Sequence, residues 1–171
     1  MKKLKIDYTE YKCMVQSICR DISASGWMPD YVVGITRGGL LPAVMISQYF
    51  DIPCQSLKIS LRDHNNNDCE TNCWMSEDAF GYEKEPKNIL VVDDINDTGA
   101  TLNWLMEDWR SSCLPNDERW NHIWGHNVRF AVIVDNQASQ CKVAMDYVGL
   151  EVNKAENDVW IEFPYEEWWA K

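Results

Sequence analysis

The run Asp93-Asp94-Ile95-Asn96-Asp97-Thr98-Gly99-Ala100-Thr101 sets three carboxylates ahead of a turn of hydroxyls and glycine. Read as a strand end entering a helix, it can bind an anion, a sugar and a metal within one short stretch. The unpaired N–H groups and positive dipole end of a helix favour a phosphate. Thr98 and Thr101 add hydroxyl donors, and Gly99 lets a ligand approach the backbone. Asp93 and Asp94 can accept hydrogen bonds from a vicinal diol or hold Mg²⁺ through water. Asp97 is then placed to act on whatever lies above the sugar. The competing reading makes Asp97-Thr98 a helix cap and Asp93-Asp94 a polar strand end. Three crowded carboxylates repel one another, which favours the ligand reading. A second unusual segment is Thr36-Arg37-Gly38-Gly39.

Both segments need elements to position them. Tyr11, Met14, Val15, Ile18, Cys19 and Ile22 recur at helical spacing over residues 9–25, with Thr9 as N-cap and Ser25-Gly26 as stop. A buried strand is expected over residues 31–36, and a helix over 40–49 that tolerates Pro42 in its first turn. Residues 53–59 read as a short strand, and 60–87 as a polar, irregular lid or binding loop. The β-branched run at 88–92 reads as a central parallel strand, followed by a helix over 100–111. Residues 113–127, with Trp120 and Trp124, form a polar insertion suited to subunit contacts. Further strands fall at 128–134 and 143–150, with a last apolar cluster at 159–164. This alternation predicts an α/β fold, a mostly parallel sheet flanked by helices, within one domain over 1–171. Ligands of such sheets bind beyond the carboxyl ends of the strands, so the two unusual segments should share one cleft.

Composition narrows the partners. The 171 residues carry 16 Lys and Arg against 27 Asp and Glu, a net charge of −11 that repels a nucleic-acid backbone. A hydrophobic fraction of 46% is ample for a core and excludes whole-chain disorder. Seven cysteines without the even, dense spacing of a disulfide framework read mostly as small buried hydrophobes. The first residues lack a signal-peptide core of ~7–15 apolar residues. No run approaches the ~18 apolar residues of a membrane span. A soluble protein of a reducing cytoplasm is expected, with no membrane partner.

The stretch Ile89-Leu90-Val91-Val92-Asp93-Asp94-Ile95-Asn96-Asp97-Thr98-Gly99-Ala100-Thr101 resembles the phosphoribosyl-diphosphate (PRPP) signature of the type I phosphoribosyltransferases. Thr36-Arg37-Gly38-Gly39 is similar to that family's pyrophosphate loop. The branch it most resembles is the bacterial xanthine-guanine enzymes, through Ile59-Ser60-Leu61-Arg62-Asp63-His64, Asp146-Tyr147-Val148 and Trp160-Ile161-Glu162-Phe163-Pro164. The resemblance implies a flexible lid loop over 60–87 and a base-binding hood and tail from about 136 to 171. It implies a homodimer or homotetramer that transfers phosphoribose from PRPP to a guanine-, xanthine- or hypoxanthine-like base with Mg²⁺, releasing pyrophosphate and a nucleotide in purine salvage. It gives Asp93 and Asp94 the ribose hydroxyls, with Asp94 nearest the metal. It gives Asp97, Thr98, Gly99, Ala100 and Thr101 the 5′-phosphate, and Asp97 also the purine N7 as general base. Arg37, Gly38 and Gly39 would hold pyrophosphate. Trp160 would stack on the base beside the Ile161 carbonyl; the competing reading is a core tryptophan, one of nine in the chain.

The likeness departs at one position. Oxopurine enzymes of this family place a lysine after the strand matching Phe130 to Val134, whereas this chain has Asp135-Asn136-Gln137 there. Asn136 stands nearest and can donate to an oxo group or accept from an amine, so the base stays open. A PRPP- or nucleotide-binding regulator, or a transferase for a different or modified base, are the alternatives. His64, Cys69 and Cys73 match no established zinc spacing. Lys58 and Arg62 are either diphosphate contacts or solvated cations. Phe163 to Trp169 is either a partner-binding tail or a packed terminus.

Overall fold

A computed structural model describes residues 1–61 and 69–170. The strands are β1 (Lys2–Lys5), β2 (Tyr31–Thr36), β3 (Cys54–Lys58), β4 (Ile89–Asn96), β5 (Val128–Asn136), β6 (Tyr147–Val152) and β7 (Val159–Glu162). The helices are α1 (Tyr8–Ser25), α2 (Leu40–Phe50), α3 (Cys73–Phe80) and α4 (Ala100–Ser112). Five strands form a parallel sheet in the order β3-β2-β4-β5-β6, and β1 pairs in parallel with β7 in a separate two-stranded sheet.

The central strands are apolar on both faces because both are covered. Val32, Leu90, Val92, Ala131 and Ile133 pack toward Tyr11, Val15, Ile18 and Ile22 of α1 and Ala43 and Ile46 of α2. Their neighbours Val33, Ile35, Val91 and Phe130 pack on the other face with Met75 and Phe80 of α3 and Leu102, Leu105 and Trp109 of α4. The chain leaves β2 for β3 on one side and returns to β4 on the other. That reversal makes β2 and β4 the switch point, where the carboxyl ends of α/β sheets open a crevice.

Several boundaries differ from the sequence expectation for local reasons. Asp7, not Thr9, caps α1. Its carboxylate accepts from the Glu10 N–H at 2.8 Å while Glu10 accepts from the Asp7 N–H at 2.9 Å, a reciprocal capping box. Gly26, at φ +72°, ends the helix as expected. Residues 60–87 are not wholly irregular: α3 is capped by Asn72 and buries Met75, Ala79 and Phe80. Its apolar positions are too few to show a period. In the 113–127 insertion, Trp120 is buried and turned inward. Its Nε1 donates to the Cys113 carbonyl at 2.7 Å, and its ring stacks on Trp124 at 5.6 Å. Within 136–171, β6 belongs to the main sheet, leaving β7 to pair with β1. β1 is exposed at all four positions and alternates no apolar residues, so it is held by its pairing with β7, by Lys3 and Lys5 on Glu162, and by Ile6 buried just beyond its end. Cys19 and Cys113 are the buried thiols, whereas Cys13 and Cys73 are exposed, so the expectation of mostly buried cysteines is corrected. Among the described residues no helix is long and apolar enough to cross a membrane.

Candidate functional site

β4 is longer than the sequence implied, and Asp93 and Asp94 lie within it. Each aspartate is tied locally: Asp93 Oδ1 accepts from the Asp94 N–H and Asp94 Oδ1 from the Ile95 N–H, both at 2.8 Å. Asp93 is buried and Asp94 half-buried. The Thr36–Arg37 peptide is cis, and the turn closes with the Gly39 N–H on the Ile35 carbonyl at 2.8 Å.

Glycine brings this loop onto β4. A Cβ on Gly38 would lie 2.0 Å from Asp94 Oδ2, and one on Gly39 would lie 2.3 Å from the Val92 carbonyl oxygen. Real side-chain carbons do not approach so closely, so the two segments expected to share a cleft are in direct contact. Arg37 is exposed at the rim of this contact, and Lys58 stands opposite Thr36 at the end of β3. Arg62 and His64 lie outside the described residues. Among those described, no three His, Cys, Asp or Glu side chains cluster as a metal cage.

Gly99 begins α4 at φ +90° with no side-chain cap. The Ala100 N–H donates to Thr98 Oγ1 at 3.2 Å. A Cβ on Gly99 would lie 2.3 Å from the Cys141 backbone nitrogen. The Gln140 N–H also reaches the Thr98 carbonyl at 2.9 Å, and Asn103 bridges the Gln140 carbonyl and the Lys142 N–H. The segment after β5 is therefore laced to the start of α4. Thr98 is exposed and Thr101 half-buried.

Asp97 has two neighbours. Lys154 Nζ lies 2.9 Å from Asp97 Oδ1, and Asn136 Nδ2 donates to the Asp97 carbonyl at 2.9 Å and to its Oδ1 at 3.4 Å. The Asn136 Oδ1 accepts from the Ala138 and Lys154 N–H groups. Asn136 was expected to face a base. It is largely buried, with both ends of its amide engaged by Asp97 and the backbone. Lys154 was missed by sequence reasoning, because it lies 57 positions from Asp97 in a turn whose residues carry no periodicity; its pairing follows only from the packing of that turn. Asn136 also lines an open cavity of about 510 Å³ with Asn96, Asp135, Ser139, Cys141 and Lys142. Burial raises the Asp135 carboxyl, offset in part by the bond donated from Asn96 at 2.9 Å.

Trp160 stands on β7 and is 45% exposed, so the core-tryptophan reading fails. Ile161 beside it is buried. β7 is held to the cleft at both ends. Lys154 precedes it, and Tyr165 follows, donating to Asp94 Oδ2 at 3.2 Å and to the Gly38 carbonyl at 3.4 Å. Burial and the Asp94 charge push the Tyr165 hydroxyl far above its ordinary value, so it remains a donor. Its ring stacks on buried Phe163 with centroids 5.6 Å apart. No sequence signal marked Tyr165 beyond its place in an aromatic tail.

Comparison with known proteins is consistent with this geometry. A family model described as a phosphoribosyl transferase domain matches residues 7–167. Xanthine phosphoribosyltransferase 1 of Saccharomyces cerevisiae is 26% identical over 154 residues, covering 80% of this chain and 74% of its own. A xanthine-guanine phosphoribosyltransferase of Cereibacter sphaeroides is 34% identical over 103 residues, covering 50% of this chain and 56% of its own. A purine phosphoribosyltransferase structure from Pyrococcus horikoshii superposes with a TM-score of 0.67 at 21% identity, covering 98% and 96% of the two chains. With the family model spanning nearly the whole chain, from the cap of α1 to the segment after β7, this protein belongs to the phosphoribosyl transferase family of pentosyltransferases.

Proposed function

We propose that the protein transfers the 5-phosphoribosyl group of PRPP to a purine-type base, releasing pyrophosphate and a nucleoside 5′-monophosphate, as a step of purine salvage. The observation that carries this reading is the contact between Gly38 and Asp94. It joins a loop of backbone donors and a guanidinium to the carboxylates of β4, as transfer from a diphosphorylated sugar requires.

The roles follow from placement. The uncapped start of α4, with Thr98, Gly99, Ala100 and Thr101, receives the 5′-phosphate beside Asp97. Asp93 and Asp94 face the ribose hydroxyls. Arg37 and the backbone of Gly38 and Gly39 hold the diphosphate that departs. Two adjacent carboxylates on a strand end, Asp94 foremost, are of a chemistry that would hold Mg²⁺. Held there, it would supply positive charge against the leaving diphosphate. Asp97 accepts the proton that the base gives up at N7 as another ring nitrogen bonds to the sugar. Trp160 offers its exposed indole face to the base, beside the Ile161 carbonyl.

The relatives named for xanthine and guanine bear on which base: they support one that presents an oxo oxygen over one that presents only an amine. The test is incubation with PRPP, Mg²⁺ and single free bases, following nucleotide and pyrophosphate. Product is expected from at least one of guanine, xanthine and hypoxanthine, and much less from adenine. No product from any base overturns the transferase reading in favour of a PRPP- or nucleotide-binding regulator.

A further inference from the structure

Lys154 belongs to the turn between β6 and β7, far in sequence from the strand-end motif, yet its side chain is only 17% exposed and its ammonium rests on Asp97 Oδ1. Asn136, the last residue of β5, fixes the same pair from the other direction. It donates to the carbonyl and Oδ1 of Asp97 and accepts from the Lys154 N–H at 3.0 Å. The ammonium of Lys154 thus meets Asp97 directly, and its backbone N–H is linked to Asp97 through Asn136. Oδ1 receives two donors, whereas Oδ2 has no protein partner among the described residues.

We propose that Lys154 is a positioning residue: with Asn136 it anchors Oδ1 of Asp97 so that Oδ2 is the oxygen presented to the base N–H. This rests on the reading of Asp97 as the general base. A half-exposed aspartate without the anchor samples several rotamers, and only some aim an oxygen at a bound heterocycle. Holding one oxygen removes that search before substrate arrives, which is how orientation lowers a barrier. The cation acts through Asp97 and needs no contact with PRPP.

The test compares Lys154→Met, which keeps the length of the stem, with Lys154→Arg, which keeps the charge. In Lys154→Met, kcat is expected to fall about 10- to 100-fold, the scale of a misplaced reacting group. PRPP affinity by calorimetry should stay within about twofold, because the proposed phosphate and diphosphate donors are Thr98 to Thr101 and Arg37 to Gly39 rather than Lys154. Lys154→Arg should recover a large part of kcat. In an Asp97→Asn background, Lys154→Met should cost nothing further, since coupled residues are non-additive. Native kcat in Lys154→Met, or an equal loss with and without Asp97, overturns the proposal. Full activity in Asp97→Asn alone instead overturns the general-base reading, so the two failures are distinct. Should Lys154→Met melt early, Lys154→Gln carries the same comparison.

Discussion

At the scale of single residues, the site is built from short-range chemistry with few partners per group. Asp97 is the proposed base, and replacing it by Asn keeps its shape and removes its ability to take a proton. Asp97→Asn is expected to lower base transfer by about 10²- to 10⁴-fold, with only modest loss of PRPP binding by calorimetry. Trp160 contributes area rather than protons. Because its indole is exposed on β7, Trp160→Ala should leave the fold intact and raise the KM for the base far more than that for PRPP. Equal effects on both constants would remove Trp160 from the base site. The contiguity of the aspartates with the start of α4 was legible in the sequence, since the signature fixes their types and spacing; Trp160 was singled out by a separate likeness near the C-terminus. Asn136 was located by alignment, but its bonds to Asp97 and Lys154 were not foreseen. An amide's partners depend on what packs beside it, and here they are Asp97 and the backbone N–H groups of Ala138 and Lys154.

At the scale of elements, two glycine turns decide how strands and helices meet. Gly38 lets the loop after β2 lie against Asp94, and Gly99 lets α4 begin under the segment after β5. Gly38→Ala forces either the loop or Asp94 to move. It should raise the KM for PRPP at least about tenfold, and overpacking of this kind costs about 1–3 kcal/mol, read as a lower urea midpoint. A variant with native PRPP affinity would show that the loop has room the geometry denies. The alternation of strands and helices was legible because buried parallel strands are apolar on both faces. α3 and β1 were not. α3 shows too few apolar positions, and β1 is specified by its partner β7 rather than by its own exposed residues.

At the scale of the whole molecule, the net charge of −11 is distributed unevenly between solvent and interior. Asp146 accepts from the Phe130 N–H at 2.8 Å, yet burial raises its carboxyl above the ordinary value of 3.8. In the window just above that value the folded chain binds more protons at Asp146 than the unfolded chain does. Its ionisation therefore subtracts stability as pH rises. Asp146→Asn should gain stability relative to the parent between acid and neutral pH, measured by paired urea titrations at each pH. A pH-independent difference would mean that the hydrogen bond offsets the burial. The acidic composition argued against a nucleic-acid partner, and motif spacing pointed to phosphate, sugar and base within one cleft. Those conclusions are local, because a signature strand, its turn and its helix are contiguous in the chain. Only the tertiary structure set Lys154 and Asn136 on Asp97 and Tyr165 on Asp94. These contacts join segments separated by tens of residues, and their specificity lies in packing geometry that no spacing along the chain encodes.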